Sequence, residues 1–154
     1  MILVDADACP VKGEIQEIAL RRGISAVFVA ATYLRLPDHP LFKMFVAGDA
    51  FDAADDAIAQ VARPGTVTIT ADILLAERVI KAGGAALDPR GREYTQATIG
   101  DSVATRDLMA ELRPGMMGQQ GGQSSGPPPF GPADRAAFKN GLDRILTRIA
   151  RTGA

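Results

Sequence analysis

The fold is decided by the first ten residues, MILVDADACP (Met1–Pro10). Residues 1–4 form a continuous apolar run, which is typical of a strand that is covered on both faces of a sheet. Asp5 ends the run, Asp7 follows two residues later, and Pro10 favours the first position of a helix. The stretch predicts a central strand that leads through an acidic loop into a helix.

Short apolar runs alternate with helical patterns along the rest of the chain. The predicted strands are Met1–Val4, Ala26–Ala31, Phe42–Val46, Thr66–Thr70 and Ala85–Leu87. The predicted helices are Pro10–Arg22, Asp52–Ala62, Ile73–Ala82, Ile99–Leu112 and Ala133–Ala150. Strands separated by helices imply right-handed crossovers between parallel strands. We therefore predict an α/β fold, a three-layer sandwich with a mainly parallel central sheet.

The chain divides into three parts by composition. An α/β core domain is predicted over residues 1–112, and a loop rich in Gly, Gln, Ser and Pro over 113–132. The loop is expected to be flexible because it has too few apolar side chains to offset the entropy of ordering. The C-terminal helix, within 133–154, has apolar residues at helical spacing and should dock on the core.

Composition limits the functional classes. The chain has 154 residues, about the size of one domain, and its net charge is −1, so it lacks the positive field of proteins that bind nucleic acid by bulk charge. A single Cys excludes an intrachain disulfide, and one Cys with one His excludes a site rich in either ligand. Any metal would be held by oxygen atoms, which favours Mg²⁺ or Mn²⁺.

No targeting or membrane signal is evident in the sequence. The chain starts in a strand-like run without a basic signal-peptide region, and no apolar stretch approaches the roughly 20 residues of a membrane span. We expect a cytoplasmic protein with no membrane partner. The oligomeric state and any protein partner are left open.

Acidic side chains follow three of the predicted strands. They are Asp5 and Asp7 after the first strand, Asp52, Asp55 and Asp56 after the third, and Asp72 after the fourth. Because ligands of open parallel sheets bind outside the carboxyl ends of the strands, these side chains should meet at one edge. Their mutual repulsion would be relieved by a hard divalent cation. We predict a metal site there, with Asp5 and Asp72 as the leading catalytic candidates.

Each acid also has a simpler explanation. Asp52 and Asp72 are natural helix N-caps, and Asp55 and Asp56 suit the positive end of a helix dipole. Asp5 is harder to explain in this way, since it ends a strand that should be buried. A buried carboxylate is costly unless it is paired or bound to a metal.

Two further residues are candidates for contacting a substrate. If Pro10 is the first residue of the helix, Cys9 is its N-cap, a position that lowers the pKa of a thiol. The alternative is that Cys9 is a small buried apolar residue. Arg106, beside Asp107, either forms an ion pair or reaches a phosphate group.

Several of these segments together resemble the uncharacterised bacterial YaiI/YqxD family. The segments are Val4–Val11 (VDADACPV), Phe51–Asp55 (FDAAD), Thr70–Asp72 (TAD), Pro89–Gly91 (PRG), Arg106–Met109 (RDLM), Gly126–Phe130 (GPPPF) and Asp134–Arg135. They cover nearly the whole chain in the family's order, and VDADACPV is quite specific.

The resemblance implies a fold similar to PIN-like nuclease domains, which cut RNA with a few acidic residues and Mg²⁺ or Mn²⁺. By position it makes Asp5 the metal ligand of the first strand. Asp72 matches the acid that follows a later strand, and Asp52, Asp55 or Asp56 would supply the middle acid. By fold-level analogy with these nucleases, RNA is then the implied partner.

Two other functions stay open. The first is a haloacid-dehalogenase-like phosphatase, in which Asp5 would be the nucleophile, Asp7 the general acid and Thr70 the second motif. Against it, the acids at 52–56 precede Thr70, whereas the metal-binding acids of that family follow it. The second is a module that binds RNA or protein without catalysis.

Overall fold

We describe a computed structural model of the chain, covering residues 1–100 and 129–153. Three predictions lie wholly or largely outside the described residues: Arg106, the helix over Ile99–Leu112 and the loop over 113–132. The rest of the chain forms a sheet with helices on both faces.

Six strands and four helices have defined bounds. The strands are β1 (Ile2–Asp5), β2 (Ala26–Ala30), β3 (Phe42–Val46), β4 (Val67–Ile69), β5 (Ala85–Leu87) and β6 (Glu93–Tyr94). The helices are α1 (Lys12–Arg22), α2 (Ala53–Val61), α3 (Ile73–Lys81) and the C-terminal helix (Pro132–Thr152). Residues 96–100 are also helical.

The strands form one sheet in the order β3-β2-β1-β4-β5-β6. All neighbours are parallel except β5 and β6, which are antiparallel. In β1, Val4 pairs with Phe28 on one side and Ile69 on the other, so the first strand is central. Strands β2 and β3 lie on one side of β1, and β4, β5 and β6 lie on the other. The direction in which successive strands are added therefore reverses between β1 and β4. The predicted α/β fold with a mainly parallel sheet is confirmed.

Helices cover both faces of the sheet and make three layers. On one face, α1 packs on β2 and the C-terminal helix packs on β5 and on α1, through fully buried residues that include Ile15, Phe28 and Phe138. On the other face, α2 and α3 bury Ile58 and Leu75 against the sheet. Because both faces are covered, β1 is apolar at every position before Asp5.

The start of α1 differs from the prediction. The helix begins at Lys12 with Val11 as its N-cap, so the placements of Pro10 as first helical residue and Cys9 as N-cap are wrong. Val11 is fully buried and holds the preceding loop against the core, which delays the helix by two residues. The short strand β6 was not predicted, since two residues carry no readable periodicity.

A close backbone contact fixes the turn after β5 against the C-terminal helix. Gly91 has a φ of +94°, and a Cβ there would lie 2.4 Å from the carbonyl oxygen of Ala137. A Cβ at Gly141 would lie 2.9 Å from the carbonyl oxygen of Gly91. Only glycines permit the turn and the helix to approach this closely. No helix among the described residues has both the length and the apolar character needed to cross a membrane.

Candidate functional site

Asp5 lies at the point where the strand order reverses. It is the last residue of β1, and its Oδ2 accepts a hydrogen bond of 2.8 Å from Oγ1 of Thr70, the residue that follows β4. Oγ1 of Thr70 in turn accepts a hydrogen bond of 3.0 Å from the backbone N–H of Asp72. In open α/β sheets, the gap beyond the carboxyl ends of the strands at this reversal is the usual place for a ligand. The Thr70 hydroxyl thus links Asp5 to the start of α3 across that gap.

The carboxyl group of Asp5 is half-buried, and its pKa is raised. Burial is the main cause, and the hydrogen bond from Thr70 opposes it. The negative charges of Asp7 and Asp72 raise the pKa of Asp5 further. Asp5 is thus a half-buried carboxylate that lies within electrostatic reach of other carboxylates.

Asp72 is the N-cap of α3, as its sequence position suggested. Its Oδ1 accepts hydrogen bonds from the backbone N–H groups of Leu74 at 2.9 Å and Leu75 at 3.5 Å. Capping does not remove Asp72 from the site, because its charge also acts on Asp5 and on Asp55.

Asp7 fastens the loop after β1 to the end of β2. Both of its carboxylate oxygens accept hydrogen bonds of 3.1 Å from the backbone N–H of Ala31. The contact holds Asp7 at the same edge of the sheet as Asp5.

The three acids at the start of α2 have separate surroundings. Asp52 takes the N-cap position, but it has a φ of +59° and its side chain makes no capping hydrogen bond. It is the only residue other than glycine with positive φ in the described part of the chain. Asp56 forms an exposed ion pair of 2.9 Å with Arg78 of α3. Asp55 and Asp56 therefore have different surroundings although they are adjacent in the chain.

Asp55 is the acid of this group that acts on the carboxylates across the sheet edge. The pKa of its half-buried carboxyl is raised to about 6. Burial is the largest cause, followed by the negative charges of Asp5, Asp72 and Asp52, whereas Arg78 opposes the shift. Carboxylates from three strand ends therefore lie within electrostatic reach of one another.

An open cleft of about 260 Å³ lies among these acids. Its acidic lining consists of Asp5, Asp7, Asp49, Asp52 and Asp55, which we call the acidic cleft. Asp49 was missed in the sequence, although it stands three residues before Asp52 in a segment that leaves β3. Counting every acid between a strand end and the next helix would have found it. Asp72 is not part of the lining but influences the acidic cleft through its charge.

The acidic residues suit a hard divalent cation by their chemistry. All are carboxylates, and the raised pKa values of Asp5 and Asp55 mark negative charge that a cation would compensate. Within residues 1–100 and 129–153, no three His, Cys, Asp or Glu side chains are grouped closely enough to hold one metal ion. The described carboxylates thus surround the cleft without meeting at a single point.

Cys9 does not have the activated thiol that an N-cap would give. It is 7% exposed and belongs to the apolar core beside α1. Burial raises the pKa of its thiol above the ordinary value, with backbone hydrogen bonding at Val11 and the charge of Lys12 acting in the opposite direction. The apolar interpretation of Cys9 therefore fits the structure.

Comparison with known proteins identifies the relatives of the chain. The family model described as "Uncharacterized BCR, YaiI/YqxD family" matches residues 3–148. A UPF0178 protein of Jannaschia sp. (strain CCS1) is 55% identical over 97% of this chain and 94% of its own. A UPF0178 protein of Sphingopyxis alaskensis is 52% identical over 98% of this chain and 96% of its own. No solved structure matches significantly. The chain belongs to the YaiI/YqxD family.

Proposed function

We propose that the chain is a PIN-like phosphodiesterase that uses Mg²⁺ or Mn²⁺ at the acidic cleft to hydrolyse RNA. The observation that carries the proposal is geometric: Asp5 and Asp55, carboxylates from different strand ends, line one cleft, and the raised pKa of each agrees with this placement. Repulsion between buried acids destabilises a fold, and active sites are where such arrangements are commonly retained. The place of Asp5 at the reversal of strand order supports the same interpretation.

The proposed roles follow from the surroundings of each acid. Asp5 and Asp55 line the acidic cleft and would hold the cation together with water ligands, since Mg²⁺ is usually bound through one or two carboxylates, and the charge of Asp72 would act from outside the lining. The Thr70 hydroxyl fixes the Asp5 carboxylate, so less side-chain freedom is lost when a cation binds. A cation held there would polarise a phosphoryl oxygen and lower the pKa of a water molecule. Asp7 positions the loop after β1 through Ala31.

The phosphatase alternative has less support. It requires Asp7 to donate a proton, but both Asp7 carboxylate oxygens accept hydrogen bonds from the N–H of Ala31. Failure to trap an aspartyl-phosphate at Asp5 with fluoride analogues is the expected result.

The direct test is calorimetric titration of the wild-type chain with Mn²⁺. We expect one site, weakened at least tenfold in Asp5→Asn and in Asp55→Asn, since each loses a charged ligand. The matched control is Asp56→Asn, which removes the same charge one residue away. Asp56 is paired with Arg78 and is not a proposed ligand of the cation. It should bind Mn²⁺ nearly as the wild type does.

Hydrolysis is tested separately with an RNA oligonucleotide and Mn²⁺. Activity that is lost in Asp5→Asn and retained in Asp56→Asn is the expected result. Mn²⁺ binding that is absent, or unaffected by Asp5→Asn, would overturn the metal site. Binding without hydrolysis would favour the non-catalytic module instead.

A further inference from the structure

Two aromatic side chains beside the acidic cleft are unusually exposed. Phe51 is 93% and Tyr33 70% exposed, whereas Phe28 and Phe138 are fully buried and Phe42 is 8% exposed. Single apolar side chains on a surface need no explanation, but these two share the edge of the sheet that carries the acids. Phe51 immediately precedes Asp52, and Tyr33 comes two residues after Ala31, which lines the cleft.

The backbone presents both rings from anchored positions. Phe51 is at the tip of a turn closed by a hydrogen bond of 3.1 Å from the N–H of Ala53 to the carbonyl of Ala50. Asp52, the next residue in that turn, has positive φ, which turns the chain back into α2 and leaves Phe51 outside. The segment that leads to Tyr33 is fastened where Asp7 binds the N–H of Ala31. Two residues span at most about 7 Å, so Tyr33 stays near the cleft.

Charge determines what these rings are suited to bind. The acidic cleft repels phosphate groups, and the chain as a whole carries a net charge of −1. A nucleic acid therefore gains little here from bulk phosphate contacts, which supply most of the affinity of basic nucleic-acid-binding proteins. Stacking of unpaired bases on aromatic rings does not depend on a positive field. Bases within a duplex are already stacked and do not offer their faces to a side chain.

We propose that Phe51 and Tyr33 form a stacking subsite that holds unpaired bases of a single-stranded nucleic acid next to the acidic cleft. This inference rests on the proposed function for its substrate class and adds the residues that position the strand. Because stacking supplies the affinity, binding should depend only weakly on salt, with a slope that corresponds to fewer than about two released counterions. It should also tolerate different base sequences.

The test measures fluorescence anisotropy of labelled oligoadenylate and oligouridylate with Mg²⁺ present and phosphorothioate linkages that resist cleavage. Phe51→Ala and Tyr33→Ala should each weaken binding about 5- to 150-fold, the range for losing one stacked base. Phe51→Trp should retain or improve the affinity because it keeps the ring. Annealing the complementary strand should abolish binding.

Phe45→Ala is the matched control. Phe45 is 50% exposed and lines a different, apolar groove with Met1 and Val61, near the far end of α2. It should leave oligonucleotide affinity unchanged. If wild type fails to bind, or if Phe51→Ala and Tyr33→Ala bind as wild type does, the stacking subsite is wrong. Mn²⁺ binding and the role of Asp5 are unaffected by either result.

Sedimentation velocity of the same variants tests a competing occupant of the aromatic pair. A wild-type chain that self-associates, and a Phe51→Ala variant that does not, would make the pair an interface between copies and overturn the proposal. We expect the same sedimentation coefficient for both.

Discussion

Carboxylates have opposite surroundings at two places in this molecule. In the seam between α1 and the C-terminal helix, each acid faces a base. Asp143 contacts Arg21 at 2.6 Å and Arg22 at 2.9 Å, Glu14 contacts Arg135 at 3.2 Å, and Glu17 contacts Lys139 at 2.5 Å. In the acidic cleft, acids lie beside other acids. Arg78 forms an ion pair with Asp56, and its positive charge acts to lower the pKa of Asp55.

The pKa shifts of the two regions differ in sign as a result. Burial acts to raise the pKa of Asp143, but hydrogen bonds and charge from Arg21 and Arg22 outweigh it and lower the pKa. Burial and neighbouring acids together raise the pKa of Asp55 to about 6. The seam acids hold two helices together, whereas the repulsion of Asp55 by Asp5, Asp72 and Asp52 opposes the fold. That difference favours a functional role for the cleft.

The largest expected effect concerns how the C-terminal helix is held. Gly91→Ala should lower the free energy of unfolding by about 3 kcal/mol, because the new Cβ meets the Ala137 carbonyl in a backbone conformation unfavourable for alanine. Urea denaturation measures the change. Gly13→Ala is the control: it lies in α1 with open space around it and should stabilise by about 0.5–1 kcal/mol. Equal effects of the two substitutions would contradict the close contact.

The next effect is on cation binding and follows from the raised pKa of Asp55. A cation competes with the proton for this carboxylate, so Mn²⁺ affinity should fall about tenfold from neutral pH to one unit below the pKa of about 6. Calorimetric titrations across this range measure the change. The Asp55→Asn variant should bind Mn²⁺ more weakly, and its affinity should depend less on pH. The pH dependence that remains in this variant reports the titration of Asp5. If the Mn²⁺ affinity of the wild type does not change across this pH range, Asp55 does not contact the cation.

The smallest effect tests the comparison itself. At neutral pH, Asp143→Asn should lower the free energy of unfolding by about 1 kcal/mol, and Asp55→Asn should raise it by up to about 1 kcal/mol, both limited by solvent screening. The first effect is present above the ordinary Asp pKa and is lost as pH falls through the lowered pKa of Asp143. The second is absent below the ordinary pKa and grows as pH rises to about 6. Denaturation curves at acid and neutral pH measure both, and equal signs would refute the contrast.

Local sequence patterns were sufficient for most of the fold. The apolar runs that became β1 to β5 and the periodic segments that became α1 to α3 carry their signal within a few residues. The errors occurred where distant contacts decide the outcome. Val11 delays α1 because its side chain is drawn into the core, and β6 exists because Glu93 and Tyr94 pair with β5.

The candidate site was only partly readable in advance. Asp5 and Asp72 stood out because they follow strands, and the strand ends of a parallel sheet share an edge. The separation of Asp55 from Asp56 was not predictable, since both lie in the first turn of α2 and only the position of Arg78 on α3 distinguishes them. The exposure of Phe51 depends on the positive φ of Asp52. That backbone conformation could not be predicted from the presence of an Asp in the sequence.

The sequence by itself determined that acids would gather at the carboxyl edge of a parallel sheet, because strand direction and strand ends are set by local periodicity and connection length. Tertiary structure alone decided which acids act on one another. That outcome depends on strand order, which brings Thr70 beside Asp5, and on helix placement, which directs Asp55 toward the cleft and Asp56 toward Arg78. Charges interact through space, and the distances between residues far apart in the chain are fixed only when the layers pack.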